Sequence, residues 1–258
     1  MLCCLLRPTQ GTAIVGGHDT QQDPIAVKQI IAVSPQETAI AEHLDAWENL
    51  SLMARLHGLG KDETKQQSAR LLHMFGLDGR ADERVNKFSG GMKRRLSIAM
   101  ALVSDPEILF LDEPTVGLDP QSRRGLWEHI ESLKGKTTIV LTTHYLEEAD
   151  ALADRIVIID EGRIVAQGTS DELKTLVPKG QVTVIDADLT DAAVEALAMT
   201  FGPVTRRTNG AEILRPDVGL DAIVDVLRPL GIATRATYRE QVTLDDVFVH
   251  LTGKELRE

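Results

Sequence analysis

Glu107-Ile108-Leu109-Phe110-Leu111-Asp112-Glu113-Pro114 is the stretch on which the fold turns. Its apolar run is too short for a helix and stops abruptly at two carboxylates, the pattern of a buried strand in a parallel sheet. Open α/β sheets bind their ligands at the carboxyl ends of their strands. Asp112 is therefore placed to hold Mg²⁺, directly or through water, and Glu113 to orient or deprotonate an attacking water. Taken alone, the same string also reads as a strand-end turn with two solvated acids.

Working outward, the chain from Thr12 to about Leu176 alternates short β-branched runs with amphipathic helical runs, as an α/β sheet with helices on its faces does. The strands expected are Thr12 to Val15, Gln29 to Val33, Glu107 to Leu111, Thr138 to Leu141 and Arg155 to Ile159. Between the second and third lies a mostly helical insert, a subdomain spanning about 41–105. Trp47, Leu50 and Ala54 recur there at helical spacing before Gly58, and Met92, Leu96, Ala99 and Val103 share a face of a helix opened by Ser89.

Phe88-Ser89-Gly90-Gly91-Met92 leaves backbone amides and a hydroxyl at the positive end of that helix, an anion site that needs no lysine. It also reads as an ordinary N-cap. Thr142-Thr143-His144 ends another strand, where a histidine can reach a phosphate and an attacking water. Gln36 follows Ile31 to Ser34 in the same way.

A second unit starts after Pro178, Lys179 and Gly180, which read as a hinge, dividing the chain into 1–178 and 179–258. Its order is a strand from Val182 to Ala187, a helix carrying Val194, Leu197, Ala198 and Phe201, and a hairpin turned at Asn209 and Gly210. A helix with Leu220, Ile223, Val224 and Leu227 and a strand near Ile232 to Tyr238 complete it. This β-α-β-β-α-β order is that of a ferredoxin-like α+β module, which by itself names no function. A last helix starts at Thr243, with Asp246 closing a capping pair.

Composition narrows the function classes. Of 258 residues, 28 are Lys or Arg and 39 Asp or Glu, a net charge of −11, and aromatics make up 3 %. That balance argues against nucleic acid as the main partner, whether held by phosphate contacts or by base stacking. Lys93-Arg94-Arg95 reads as the solvated outer face of its helix. Cys3 and Cys4, the only cysteines, are adjacent and poorly placed for a mutual disulfide, which points to a reducing compartment. No segment approaches the ~18 apolar residues of a membrane span, and the opening residues lack the features of a secretory signal. His18, His43, His57, His73, His129 and His250 have no metal-site spacing.

Taken in order, Gln36, Phe88 to Met92, Ile108 to Glu113, Gly117-Leu118-Asp119-Pro120 and His144 resemble the ATP-binding cassette (ABC) ATPases motif by motif. In that family they stand at the Q-loop, signature, Walker B with its catalytic glutamate, D-loop and switch histidine. Phe88 and Met92 replace the usual leucine and glutamine, leaving Ser-Gly-Gly intact. The resemblance covers about Met1 to Leu176 and implies a P-loop NTPase-like (RecA-like) core. It also implies that Asp112 and Gln36 hold Mg²⁺ and its water, that Glu113 activates the attacking water, and that His144 meets the γ-phosphate of ATP. Ser89, Gly90 and Gly91 would meet the γ-phosphate of a nucleotide held mainly by a second ATPase subunit in a head-to-tail dimer, and Asp119 would serve communication between the two sites.

The texture of Thr143 to Asp150 and of Leu244 to Gly253 is similar to the drug-resistance and nodulation-type exporters. This implies an ATPase subunit on the cytoplasmic face of the plasma membrane, docked through about Ala41 to Ser89 on separate membrane (permease) subunits. A non-catalytic or regulatory cassette acting with an intact partner, and an ABC ATPase that transports nothing, are the alternatives.

One family element is missing from the string: no Gly-x-x-x-x-Gly-Lys-Ser/Thr occurs, and Gly135-Lys136-Thr137 joins a helix to a strand instead of the reverse. The resemblance implies that Met1 to Gly11 corresponds to the helix after the P-loop and that the chain starts just beyond that loop. The expectations are marginal stability through exposed sheet edges, weak ATP binding and negligible hydrolysis by a homodimer, and one competent composite site in a heterodimer with an intact partner.

Overall fold

The computed structural model describes residues 1–177, 182–213, 218–240 and 242–253. The chain divides into two compact units, Met1–Leu152 and Ala153–Glu258. In the first, β1 (Ile14–Val15) and β2 (His18–Asp19) form a minimal antiparallel hairpin through Gly16 and Gly17, both at positive φ. Helix α1 (Pro24–Ile30) runs directly into β3 (Ile31–Ser34). Part of the strand expected over Gln29 to Val33 is therefore helix, with Pro24 in the first turn, where its missing N–H costs nothing, and Val27 buried.

Met1 to Gly11 is turn and bend instead of a helix. Pro8 and Gly11 break any helical run to a length that cannot repay nucleation. The half-buried Cys3 and Cys4 instead pack beside Val15, Val27 and Ile31, and burial raises the Cys3 thiol pKa.

The helical subdomain follows. Helix α2 (Ala46–Leu56) opens on a reciprocal capping box between Asp45 and Glu48. Helix α3 (Lys61–Met74) precedes α4 (Gly90–Ala101), whose N-cap is Ser89. Leu50, Leu71, Leu72, Phe75, Leu96 and Ile98 are all at most 2 % exposed and interlock in one core. Each such side chain contributes roughly 1.5–3 kcal/mol relative to exposure, enough to fix where α4 begins.

Strand β4 (Ile108–Asp112) lies between β3 and β5 (Thr138–Thr142), parallel to both, in the order β3-β4-β5. Leu109 and Leu111 enter the main core, while Ile108 and Phe110 face the smaller Val15–Val27–Ile31 cluster and stay half-buried. The strand thus alternates, where the apolar run suggested complete burial. Helix α5 (Pro120–Glu131) crosses from β4 to β5, and α6 (Leu146–Leu152) closes the unit. Gly135-Lys136-Thr137 leads from the α5 end into β5, as the sequence indicates.

In the second unit, β6 (Ile156–Asp160) and β7 (Arg163–Gly168) pair across a turn at Glu161 and Gly162, both at positive φ. Helix α7 (Ser170–Lys174) follows with a Thr169–Glu172 capping box. Then come β8 (Val182–Asp186), α8 (Asp191–Phe201), β9 (Val204–Arg207), β10 (Gly210–Ile213), α9 (Leu220–Leu227), β11 (Ala236–Glu240) and α10 (Leu244–Thr252). The sheet order β11-β8-β10-β9, antiparallel throughout, is that of a ferredoxin-like β-α-β-β-α-β module. Ile185, Leu197, Ala211, Ile213, Ile223 and Leu227 form its core.

The last strand starts four residues later than expected, after the loop at Ile232. Gly210 pairs within β10 instead of sitting in the turn, and glycine is required at that place because a Cβ would run into the Ile185 carbonyl oxygen. Thr243 and Asp246 do form a capping box. Compactness divides the chain at 152/153 and not at 178/179, since β7 and α7 pack with α10; the hinge at Pro178 to Gly180 lies outside the described residues.

Candidate active site

Parallel pairing in register brings three strand ends to one edge of the sheet. Ser34 pairs with Leu111 and Asp112 with Thr142, so the residues that follow each strand, Gln36, Glu113 and His144, emerge side by side. The Thr142 hydroxyl donates to Asp112 Oδ1 at 2.5 Å. The Glu113 amide donates to the Thr142 carbonyl at 3.0 Å.

Glu113 departs from the strand in a left-handed conformation, φ +42°. A non-glycine residue pays about 1–3 kcal/mol for such a backbone, which persists only where its surroundings over-determine it. The turn throws its carboxylate between two neighbours. Gln36 Nε2 donates to Glu113 Oε2 at 3.1 Å, and His144 Nδ1 lies 3.1 Å from Oε1. An ionised carboxylate only accepts, so that contact assigns the Nδ1 proton to His144 and leaves Nε2 for another ligand. The Glu113 side chain is 28 % exposed and that of His144 44 %, so water reaches both.

His144 is itself stacked. Its ring centroid lies 4.2 Å from that of Tyr145, and the Arg123 guanidinium carbon sits 4.2 Å from the Tyr145 centroid. Arg123 belongs to α5, whose N-cap is Asp119. The Asp119 carboxylate accepts from the amides of Gln121 and Ser122 at 3.1 and 3.0 Å, and the Ser122 hydroxyl and amide hold it below the usual carboxylate range.

Ser89 and Gly90 are exposed at the start of α4, with the Ser89 hydroxyl accepting from the Met92 amide at 3.3 Å. A Cβ on Gly91 would lie 2.9 Å from Ser122 Oγ, so only glycine lets α4 meet α5 this closely. The candidates thus fall into two groups. Gln36, Asp112, Glu113 and His144 share one hydrogen-bonded edge, whereas Ser89, Gly90, Gly91 and Asp119 mark the adjoining N-termini of α4 and α5.

The basic run on α4 is not a solvated face. Lys93 pairs with Glu42 at 2.5 Å, and Arg95 Nη1 donates to the Phe75 carbonyl at 2.8 Å. Arg94 is 4 % exposed and donates to the carbonyls of Pro114 and Asp112, both at 2.8 Å, and of Pro35. Helical phase was the available signal: Arg94 stands three and four residues before the buried Ser97 and Ile98. Thr142, Tyr145 and Arg123 also went unassigned by sequence reasoning, since strand register and ring stacking have no local motif.

The donor chemistry fits a divalent ion held with ATP. Asp112 keeps Oδ2 apart from its Thr142 bond, and Gln36, whose amide group donates to Glu113, keeps its carbonyl oxygen. Mg²⁺ takes one or two such hard oxygens and completes its shell with water and phosphate. Among the described residues, no three His, Cys, Asp or Glu gather as a self-sufficient metal site.

Residues 1–116 match the family model for the ABC transporter. The chain is 42 % identical over its whole length to 83 % of a daunorubicin resistance ATP-binding protein, DrrA3, from Streptomyces coeruleorubidus. The chain belongs to the ABC transporter family. A Nod factor export ATP-binding protein from Cupriavidus metallidurans is 37 % identical across all of this chain and 84 % of its own length. Among solved structures, the ATP-binding subunit of an ABC transporter superposes with a TM-score of 0.59 at 31 % identity, covering 68 % of this chain and 73 % of that one. A dimeric ATP-binding cassette in a post-hydrolysis state with ADP and Pi gives 0.56 at 26 % identity, covering 65 % and 76 %. ABC ATPases hydrolyse ATP, and this ABC cassette has the P-loop NTPase-type parallel sheet of the family. Among the described residues, no helix is long and apolar enough to cross a membrane.

Proposed function

We propose that this chain is the ATP-hydrolysing subunit of a membrane exporter and that Glu113 is its general base. The observation that carries the reading is the Glu113 carboxylate, engaged on one oxygen by Gln36 and on the other by His144 beside Asp112. The names of its relatives, resistance and export ATP-binding proteins, support the exporter assignment.

In this reading Glu113 accepts a proton from a water molecule whose oxygen attacks the γ-phosphorus of ATP, with ADP leaving. Gln36 and His144 hold the carboxylate so that its free lone pairs face that water, and His144 Nε2, when it too carries a proton, donates to the γ-phosphate. Asp112, with Gln36, would hold Mg²⁺, which neutralises charge on the phosphate oxygens. Ser89, Gly90 and Gly91 address the γ-phosphate of ATP bound on a second ATPase subunit, the anion facing the positive end of α4. Asp119, at the adjoining helix N-terminus, lies where the two composite sites communicate.

No P-loop string occurs within the 258 residues, so the amides and lysine that cradle the β- and γ-phosphates in this reading are not among them. The helical subdomain faces the permease subunits at the cytoplasmic side of the membrane, and the ferredoxin-like module of β8 to β11 is an accessory part of the second unit.

The test is ATP turnover and substrate export by the complex of this chain with its membrane subunits, with and without Ser89→Arg. Loss of both activities is expected, because an arginine would fill the anion position. Unchanged turnover would exclude the shared site. ATP hydrolysis that accompanies ribosomes or chromosomes and persists without membrane subunits would favour a cassette that transports nothing.

A further inference from the structure

Arg94 is the only buried cation among the described residues. Desolvation pulls its guanidinium below the ordinary arginine value, an effect that the charges of Asp112 and Glu148 partly offset. A buried charge is retained only where its hydrogen bonds compensate. Those bonds have an arrangement that packing alone does not require.

Nε donates to the Pro114 carbonyl and Nη2 to the Asp112 carbonyl, both at 2.8 Å, so Arg94 grips the backbone on both sides of Glu113. Nη1 donates to the Pro35 carbonyl and reaches the Gln36 carbonyl at 3.5 Å. One planar side chain thereby fixes the two loops whose side chains meet at the Gln36–Glu113 hydrogen bond. It also supplies the outside support that the left-handed Glu113 backbone needs.

We infer that Arg94 is a positioning residue for hydrolysis: it sets the separation of Gln36 and Glu113 through the backbone without touching either side chain or the substrate. The inference rests on Glu113 being the base. Lysine cannot replace it. A single ammonium presents its donors from one point, whereas these carbonyls lie around the edge of a planar fork with separate nitrogens. A displacement of about 1 Å of a catalytic group can cost 10²-fold in rate.

The experiment compares wild type, Arg94→Lys, Arg94→Met, Arg95→Met and Glu113→Gln in the purified complex with membrane subunits. It measures kcat, KM for ATP, thermal unfolding and, without nucleotide, amide hydrogen exchange. Arg94→Lys and Arg94→Met are expected to lower kcat about 10- to 100-fold, with KM for ATP within about threefold. Exchange should accelerate at the Gln36, Glu113 and Thr115 amides and stay unchanged across α2 and α3. Arg95→Met, whose lost bond reaches Phe75, should leave kcat near wild type.

Wild-type kcat in Arg94→Met beside an inactive Glu113→Gln would overturn the inference and leave the proposed function standing. Activity lost only in proportion to the unfolded fraction, with exchange rising throughout the first unit, would also overturn it by reducing Arg94 to a packing role. Full activity in Glu113→Gln would instead overturn the assignment of the base, and the inference with it. Should Arg94→Met fail to fold, the kcat, KM and exchange pattern of Arg94→Lys decides.

Discussion

His144 Nδ1 lies 3.1 Å from Glu113 Oε1, joining the residues that follow two neighbouring parallel strands. The contact follows from register. Asp112 pairs with Thr142, so the next residue on one strand and the second on the other come level at the sheet edge, and the left-handed Glu113 backbone closes the gap.

The Tyr145 ring, set between His144 and Arg123, is expected to hold the imidazole in that contact. Exposed cation–π pairs contribute about 0.5–1 kcal/mol. Tyr145→Ala should lower kcat about 3- to 10-fold, a factor that corresponds to ~1 kcal/mol. Tyr145→Phe keeps the ring face and should stay near wild type. Steady-state kinetics on both variants make the comparison.

Gly91 meets Ser122 so closely that a Cβ would lie 2.9 Å from its Oγ and 3.0 Å from its Cβ. Gly91→Ala should destabilise the first unit by about 1–3 kcal/mol through overpacking. Ser122→Gly removes both atoms and should recover most of that loss. A double-mutant cycle by urea unfolding reads the coupling.

Gly210→Ala places a methyl against the Ile185 carbonyl and should break the β8–β10 pairing, at a cost of about 3 kcal/mol. Hydrogen exchange should show protection lost across residues 183–213 while α4 keeps its own.

Asp119 provides the pH test. Its carboxyl pKa is held below the ordinary 3.8, so its contribution to stability is complete above that value and fades as pH falls through the lowered one. The difference in Tm between wild type and Asp119→Ala should be constant from pH 5 to 7 and shrink toward zero in stronger acid. A difference that grew on acidification would contradict the capping role.

Much of this was legible in the sequence because it is local. An apolar run ending in acids marked β4, Ser89 before two glycines marked the start of α4, and Thr243 with Asp246 marked α10. Arg94 was hidden because charge reads as solvation, while its acceptors are backbone carbonyls that carry no residue signature. Helix α1 was hidden for another reason: Ile25 and Val27 alternate as a strand would and lead straight into β3. Met1 to Gly11 resembled a helix by family likeness, yet Pro8 and its short length deny it one.

The central claim is that Glu113 activates the attacking water. Phosphate release by the complex with membrane subunits, wild type against Glu113→Gln, tests it most directly. A loss of about 10²- to 10⁴-fold in kcat is expected for the amide, which keeps the shape and loses the base, with ATP still bound. Turnover within a few-fold of wild type would contradict it.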